Sequence, residues 1–600
     1  MTAPLRQIQE KSFVFNRLLL IVFAISCLLD VDLIAADRPN VILIITDDQG
    51  YGDFGATGND IIETPNLDEL ASRSASMSTF YVSPVCSPTR ACLMTGRYNY
   101  RTRCIDTFVG RSMMEPNEIT IAEVLAANGY RNGLFGKWHL GDCYPMRPQD
   151  QGFHEVLMHK GGGLGQPSDP RENNRRYTDP ILFHNGEQVN TKGYCTDVYF
   201  DAALNFIETE VSNGNSFFTY IATNAPHGPF HDVPEDLLAH YQQKTMGSLI
   251  VGKRNEQQRK AEVDRLARIA AMITNVDQNV GRLFAKLDEL DVRDNTLVIF
   301  IDDNGPNTRR YVGDFRGNKS MVYDGGVRSP CWLHWPNRLQ AGVVRHELSA
   351  HIDLLPTIAD ACNVRVPRWL KLDGQSFLPL LEGKRRNWNR HLVLQAHRGN
   401  EPVRYHNFML RHGDWKLLHS SGFGSTSFDG KPQFQLYNVS NDPTELNNLA
   451  STHPEQVARL QRLYDQWFDD VSTTREDNYA PPRIVIGSDV APETVLSRQD
   501  WRDGTWAPNS SGYWEVNVVE NRSYDIEVVF NPAEQDETLE IRLETNTVKA
   551  NISAGDDRAL IRGVPIENGP QKISAVLLHL LKDESEKIRG PYQVIIRPHL

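Results

Sequence analysis

The run NVILIITDD, Asn40 to Asp48, is apolar without a break until it ends in two carboxylates. A short, continuous apolar run rich in isoleucine and valine predicts a strand buried on both faces, as in a parallel sheet. NTLVIFIDDNG, Asn295 to Gly305, repeats the pattern and ends in Asp302, Asp303 and Asn304. Between these runs the pattern becomes helical: ITIAEVLAANGY, with Gly129 as a C-cap, and the stretch from Gln257 to Leu290 predict helices. Strands alternating with helices predict an α/β domain built on a large doubly wound mixed sheet flanked by helices. Ligands bind such sheets at the carboxyl edge of the strands, where both runs deliver their acids.

From about Arg390 the pattern shifts to short strands, HLVLQAH and NFMLRHGDWKLLH, then a helix from Pro454 to Asp470, predicting a smaller α+β subdomain. After the linker STTREDNYAPPR the chain alternates by twos: Trp514, Val516 and Val518, then Tyr524, Ile526 and Val528. This predicts an antiparallel β-sandwich. Trp501, Trp506, Tyr513 and Trp514 read either as sandwich core or as a platform for sugar rings. The glycine-rich GGGLGQPSDP after Lys160 reads as a loop and lacks the spacing of a phosphate cradle.

With 40% apolar residues in 600, the chain is globular and long enough for several domains. Its formal net charge of −13 argues against nucleic-acid binding, which needs clustered Lys and Arg, but leaves room for one locally positive pocket. Arg6, Lys11 and Arg17, the apolar run Leu18 to Leu29 and the small residues before Asp37 predict a signal peptide over 1–36. That run is too short to span a bilayer, so the expectation is an exported, periplasmic or extracellular protein without stable membrane insertion. Without the leader seven cysteines remain, an odd number that flags one thiol with another fate.

The oxygen donors Asp47, Asp48, Asp303 and Asn304, with no Cys/His cluster nearby, suit Ca²⁺ or Mg²⁺ rather than zinc. GKWHLGD places Lys137 and His139 on one side of an extended segment, NAPHGPF supplies His227, and RGNKSMVYDGGVRSP supplies Lys319 and Arg328. Gathered in one site, such groups neutralise an oxyanion and move protons. In CSPTRACLMTGR, Pro88 suits a first helical turn, so Cys86 is expected at a helix N-terminus, where backbone N–H groups favour anions.

TDDQGYGD, CSPTR, GKWHLG, DDNG and the Lys319 segment, in that order, resemble the type I sulfatase family of the alkaline-phosphatase-like superfamily. The resemblance runs from about Arg38 to Asp470 and takes in LYNVSNDPTELNNLA. It implies that Cys86 is oxidised by a formylglycine-generating maturation enzyme to formylglycine, whose hydrate is the nucleophile. A plain hydroxyl would leave a stable sulfo-enzyme, whereas a geminal diol releases sulfate by re-forming the aldehyde. It further implies one Ca²⁺ held by Asp47, Asp48, Asp303, Asn304 and residue 86. Arg90 and His139 would hold and deprotonate the diol, and Lys137, His227 and Lys319 would bind sulfate, one of the last two protonating the leaving oxygen. The aspartate directly before Asn-Gly, Asp303 rather than Asp302, is taken as the ligand.

Where the family reads Gly-Phe-Asp this chain has Gly152, Phe153 and His154, which puts a supporting contact in question. The expected division is 1–36 leader, 37–385 catalytic α/β domain, 386–475 α+β subdomain and 476–600 accessory sandwich. The expected activity is hydrolysis of an aryl or, preferably, a carbohydrate sulfate ester, with phosphate or phosphonate ester hydrolysis on the same scaffold as the alternative.

Overall fold

The computed structural model describes residues 38–384, 387–474, 479–580 and 586–600. The leader expected over 1–36 lies outside the described residues. Among the described residues no helix is long and apolar enough to cross a membrane.

The elements that build the site are β1 (Asn40–Thr46), α1 (Cys86–Thr95), β2 (Arg131–Lys137), β3 (Phe217–Ala222), α2 (Glu256–Glu289) and β4 (Thr296–Asp302). They belong to a ten-stranded mixed sheet in which β4, β1, β3 and β2 lie side by side in parallel, followed by Glu155–His159. Cys331–His334 pairs antiparallel with the outer side of β4. Successive residues of a strand face opposite sides of the sheet, and here both sides are covered. Val41, Leu43 and Ile45 enter one apolar cluster, and Ile42 and Ile44 enter another, to which α2 contributes residues from Leu266 to Leu287. Two-sided burial is why the sequence of β1 shows no alternation.

The register pairs Thr46 with Asp302, so the acids that follow β1 and β4 leave the sheet side by side. Lys137 ends β2 on the same edge, and His227 lies five residues beyond the end of β3. The helix predicted around Ile121 ends at Ala126, and Gly129, at φ +86°, closes the turn behind it.

Four antiparallel strands between His391 and Asn438 and the helix Pro454–Ser472 form the next unit. Its tie to the α/β part is ionic and buried: Lys416 Nζ lies 2.6 Å from Asp324 and 2.7 Å from Glu445. Asp324 also accepts from Tyr81 and Arg328, and against the opposing effect of burial the cations Lys416, Arg328 and Arg411 hold it below the usual carboxylate range. Glu445, from the motif LYNVSNDPTELNNLA, is pushed up by burial and accepts from the Asp324 backbone N–H at 2.7 Å. That motif is therefore a clasp, and Arg328 belongs to the clasp rather than to the cleft.

The last part is a sandwich of two sheets, one containing Tyr513–Val518 and the other Arg522–Val529. The six alternating residues expected to point inward are at most 1% exposed. Consecutive strands 513–518 and 522–529 lie in opposite sheets rather than as a paired hairpin. The sandwich core is not closed on itself: Met113, Cys143 and Met146 of the α/β part pack into it.

Candidate functional site

The acids, the lysines and Cys86 converge at the carboxyl edge of the parallel strands. One donor atom each from Asp47, Cys86 and Asp303 lie within 4.8 Å of one another, and so do donor atoms of Asp47, Asp48 and His227. Asp47 and Asp48 are each hydrogen-bonded through one oxygen only, Asp303 through both. Asp47 Oδ2 lies 2.6 Å from Lys137 Nζ, and Asp48 Oδ1 accepts from Lys319 Nζ and, at 2.8 Å, from Asn304 Nδ2. Asp303 Oδ2 lies 2.9 Å from Arg90, and its Oδ1 accepts from the Asp48 backbone at 3.2 Å.

What remains is the part that fits a cation. Asp47 Oδ1, Asp48 Oδ2 and Asn304 Oδ1 are buried and accept no hydrogen bond. Leaving buried acceptors unpaired costs about 1–3 kcal/mol each, more when charged. Oxygens of this kind are hard donors that suit a divalent ion. The neighbouring acid, Asp302, is used differently: it accepts from Thr46 Oγ1 at 2.8 Å, and burial pushes its carboxyl well above the ordinary range. Asp303, not Asp302, is the acid brought into the cluster.

Cys86 opens α1, a helix whose ten residues are all buried. Arg90, one turn later on the same face, donates to the Lys137 carbonyl at 3.1 Å and so ties helix, β2 and β4 together. The Cys86 thiol is raised by burial, with Lys137 and Lys319 opposing, and its Sγ lies 3.5 Å from His139 Nδ1. On the other side of the imidazole, Nε2 lies 2.8 Å from the carbonyl of Thr107. A carbonyl only accepts, so Nε2 carries the proton and Nδ1 presents a lone pair to residue 86. Burial, reinforced by the charge of Lys137, lowers His139 well below the ordinary histidine range and keeps it neutral, the form a base needs.

His227 donates from Nδ1 to the Gly228 carbonyl at 2.7 Å, and its Nε2 stands 3.8 Å from Asp48 Oδ2. Burial pushes His227 down to about 4, against the pull of Asp48. Lys319 is raised by Asp48, which overcomes burial, and remains an ammonium. Asp303, raised to about 6 by burial and by Asp47, is held ionised by Arg90 and Lys137. Three non-glycine residues here, Asp48, His139 and Ser320, adopt positive φ of 63°, 60° and 70°. Such conformations cost about 1–3 kcal/mol and persist where the surroundings impose them.

Cys86, His139, His227 and Lys319 line one cleft of about 200 Å³. Lys137, Asp47 and Arg90, wholly buried, stand behind it. Several other cleft residues are not suggested by the sequence motifs. Gly162 of the glycine-rich loop packs so closely that a Cβ there would come within 2.4 Å of the His139 ring, so the loop expected to be mere connection fixes the base. Arg398 and Trp506 also line the cleft, from the α+β unit and the sandwich. His154, by contrast, accepts from the Asn132 backbone at 3.0 Å near the start of β2, at the opposite edge of the sheet. Its departure from the family pattern leaves the site untouched. All seven described cysteines are buried and free, so the odd thiol is not the remainder of a disulfide framework.

Comparison with known proteins places the chain in a family. A profile described as sulfatase matches residues 39–364, and one described as N-sulphoglucosamine sulphohydrolase, C-terminal, matches 314–470. Human arylsulfatase A is 30% identical over 481 residues, 72% of this chain and 88% of its own length. Mouse N-acetylgalactosamine-6-sulfatase is 30% identical over 379 residues, 58% of this chain and 68% of its own. Among solved structures, Ps i-CgsB in complex with k-i-k-neocarrahexaose superimposes with a TM-score of 0.62 at 28% identity, covering 74% of this chain and 94% of that one. The phosphonate monoester hydrolase of Agrobacterium radiobacter shares the fold at a TM-score of 0.52 and 19% identity, over 74% of this chain and all of that one. With a profile match over more than half of its length and an arylsulfatase relative along nearly three quarters, the chain belongs to the sulfatase family, the formylglycine-dependent enzymes of alkaline-phosphatase-like fold.

Proposed function

We propose that this sulfatase is a calcium-dependent hydrolase of carbohydrate sulfate esters in which residue 86 acts as formylglycine. The observation that carries the proposal is the set of orphaned buried oxygens on Asp47, Asp48 and Asn304, with Asp47 also belonging to one donor group with Cys86 and Asp303 and to another with Asp48 and His227. Asp47, Asp48, Asp303 and Asn304 would hold the ion, together with residue 86. When bound, Ca²⁺ supplies a positive charge against the oxygens of the sulfate group. As an aldehyde hydrate, residue 86 offers one hydroxyl for attack on sulfur and a second whose loss of a proton re-forms the aldehyde and expels sulfate.

The chain's own residues do the rest. His139, its Nε2 proton fixed on Thr107, takes the proton of the hydrate at Nδ1. Arg90 and Lys137 hold positive charge behind the nucleophile and are kept in place by Asp303 and Asp47. The N-terminus of α1 adds backbone N–H groups that favour an anion at residue 86. Lys319 and His227 face the cleft at the sulfate group, and one of the two protonates the leaving oxygen, a role that suits the Lys319 ammonium because the Nδ1 proton of neutral His227 is held by the Gly228 carbonyl. Maturation by a formylglycine-generating enzyme and export through the segment 1–36 belong to the same reading.

Carbohydrate is favoured over simple aryl esters because one of the relatives just described is named for a sugar sulfate and the superimposable structure holds a sugar ligand. The test is turnover by protein matured with the oxidising enzyme. Hexose 6-sulfates and 4-nitrophenyl sulfate are expected to be cleaved at least about a hundredfold more efficiently than 4-nitrophenyl phosphate or phenylphosphonate esters. A preference for phosphorus esters would reverse the assignment.

A further inference from the structure

The segment joining the sandwich strands Thr494–Ser497 and Tyr513–Val518 leaves the sandwich and reaches the catalytic cleft. Polar contacts fasten it there. Gln499 donates from its side chain to the Thr107 carbonyl at 3.0 Å, the same carbonyl that orients His139, and to Ser112 Oγ at 3.2 Å. Its own carbonyl accepts from Gly110 N at 3.0 Å, and Arg502 donates to the Val109 carbonyl at 2.9 Å. Further on, buried Arg498 donates to the Trp506 carbonyl at 3.2 Å and to the carbonyls of Gly590 and Pro591, fixing the position of the tryptophan.

The aromatic residues of the sandwich divide sharply. Trp501 and Trp514 are fully buried in its core, 5.8 Å apart between ring centroids. Trp506 has no place in that core. It is partly exposed and lines the cleft that contains Cys86, His139, His227 and Lys319. It packs edge to face on Phe108, with centroids 5.4 Å apart. On Phe108 also rests the guanidinium of Arg398, 3.9 Å from the ring centroid, which lies over Phe423 as well and is held by Asp106 at 2.6 Å. An indole and a guanidinium, both prepositioned in the lining of this polar cleft, match a ligand with an apolar face and a rim of hydroxyls, which describes a pyranose ring.

We infer that Trp506 is a substrate-recognition residue: the ring of the sulfated sugar stacks on its indole, with Arg398 at the hydroxyl rim, while the ester group reaches residue 86. The inference rests on the sulfatase reading and adds to it that the sandwich is a wall of the active site. A cleft of about 200 Å³, smaller than the roughly 300 Å³ at which drug-sized pockets begin, accommodates one such ring.

The test uses the full, matured chain with galactose 6-sulfate, N-acetylgalactosamine 6-sulfate and glucosamine 6-sulfate, and inorganic sulfate as an inhibitor that has no ring. For whichever sugar is cleaved, Trp506→Ala is expected to raise KM about tenfold or more with a smaller change in kcat, the loss of one aromatic stacking face. Trp506→Phe, which keeps such a face, recovers most of that loss, and the inhibition constant of inorganic sulfate moves by much less than KM. Equal KM in Trp506→Ala and wild type, a phenylalanine variant as impaired as the alanine one, or a parallel loss of sulfate inhibition would each overturn the inference. Calorimetric titration of the same sugars into Cys86→Ala protein, with and without the indole, separates the two claims. Absence of hydrolysis by wild type counts against the sulfatase reading, whereas equal affinity with and without Trp506 counts against the stacking wall alone.

Discussion

Cys86→Ala reduces sulfate release by about 10⁴-fold or more, because it removes the atom from which the nucleophile is made, and leaves the fold in place. The structural side of this expectation follows from the surroundings of the thiol. Cys86 is 3% exposed, and its Sγ approaches His139 Nδ1 at 3.5 Å. Arg90, Lys137 and the acids are held by one another rather than by sulfur, so a methyl group at position 86 leaves their ion pairs intact. Circular dichroism and the thermal midpoint should stay near those of wild type while turnover vanishes. Cys86→Ser is the sharper variant. It restores a hydroxyl but not a geminal diol, so it is expected to release at most a single equivalent of alcohol and no continuing sulfate. Sustained turnover by either variant would refute the role given to residue 86.

Chelation of calcium is expected to abolish turnover and to lower the thermal midpoint, with both restored by added Ca²⁺. A ligand that binds only the native state stabilises it by about 2.7 kcal/mol at a hundred times its dissociation constant. The physical origin is local: Asp47, Asp48 and Asp303 are wholly or almost wholly buried, and Lys137, Lys319 and Arg90 neutralise one flank of each. The remaining oxygens of Asp47 and Asp48 are buried without a hydrogen-bond partner, a condition that a bound cation relieves. Asp47→Asn, which keeps the shape but removes a charge, should lose most of the calcium-dependent shift in midpoint as well as activity. Identical midpoints with and without chelator in wild type would contradict the metal assignment whatever the activity showed.

The catalytic edge was readable from local patterns because its chemistry sits where strands end. The uninterrupted apolar runs before Asp47 and Asp303 announced buried parallel strands, and the carboxyl-edge rule then placed the acids together. Asp303 is preferred to Asp302 from its place directly before Asn-Gly, and the register gives the physical reason: alternate residues face opposite ways, and Asp302 is occupied by Thr46 Oγ1. Arg328 stood in the same motif as Lys319 and looked equally available, yet its partners Asp324 and Tyr81 are set by the clasp to the α+β unit. Contacts made across the chain were invisible. The Thr107 carbonyl that sets the tautomer of His139, and Gln499, 360 positions from that histidine, carry no spacing that a motif could record. The four sandwich aromatics looked alike in sequence, and only the path of the joining segment separates Trp506 from Trp501 and Trp514.

The central claim is that residue 86 is no longer a thiol in the working enzyme. Mass spectrometry of the proteolytic peptide containing SPVCSPTR, from protein co-expressed with a formylglycine-generating enzyme, tests it directly. The account predicts a peptide lighter than the encoded one by the difference between a CH₂SH and a CHO side chain, reactive toward hydrazides, in a fraction that rises and falls with specific activity. A fully active preparation whose peptide carries only the unmodified cysteine would contradict it.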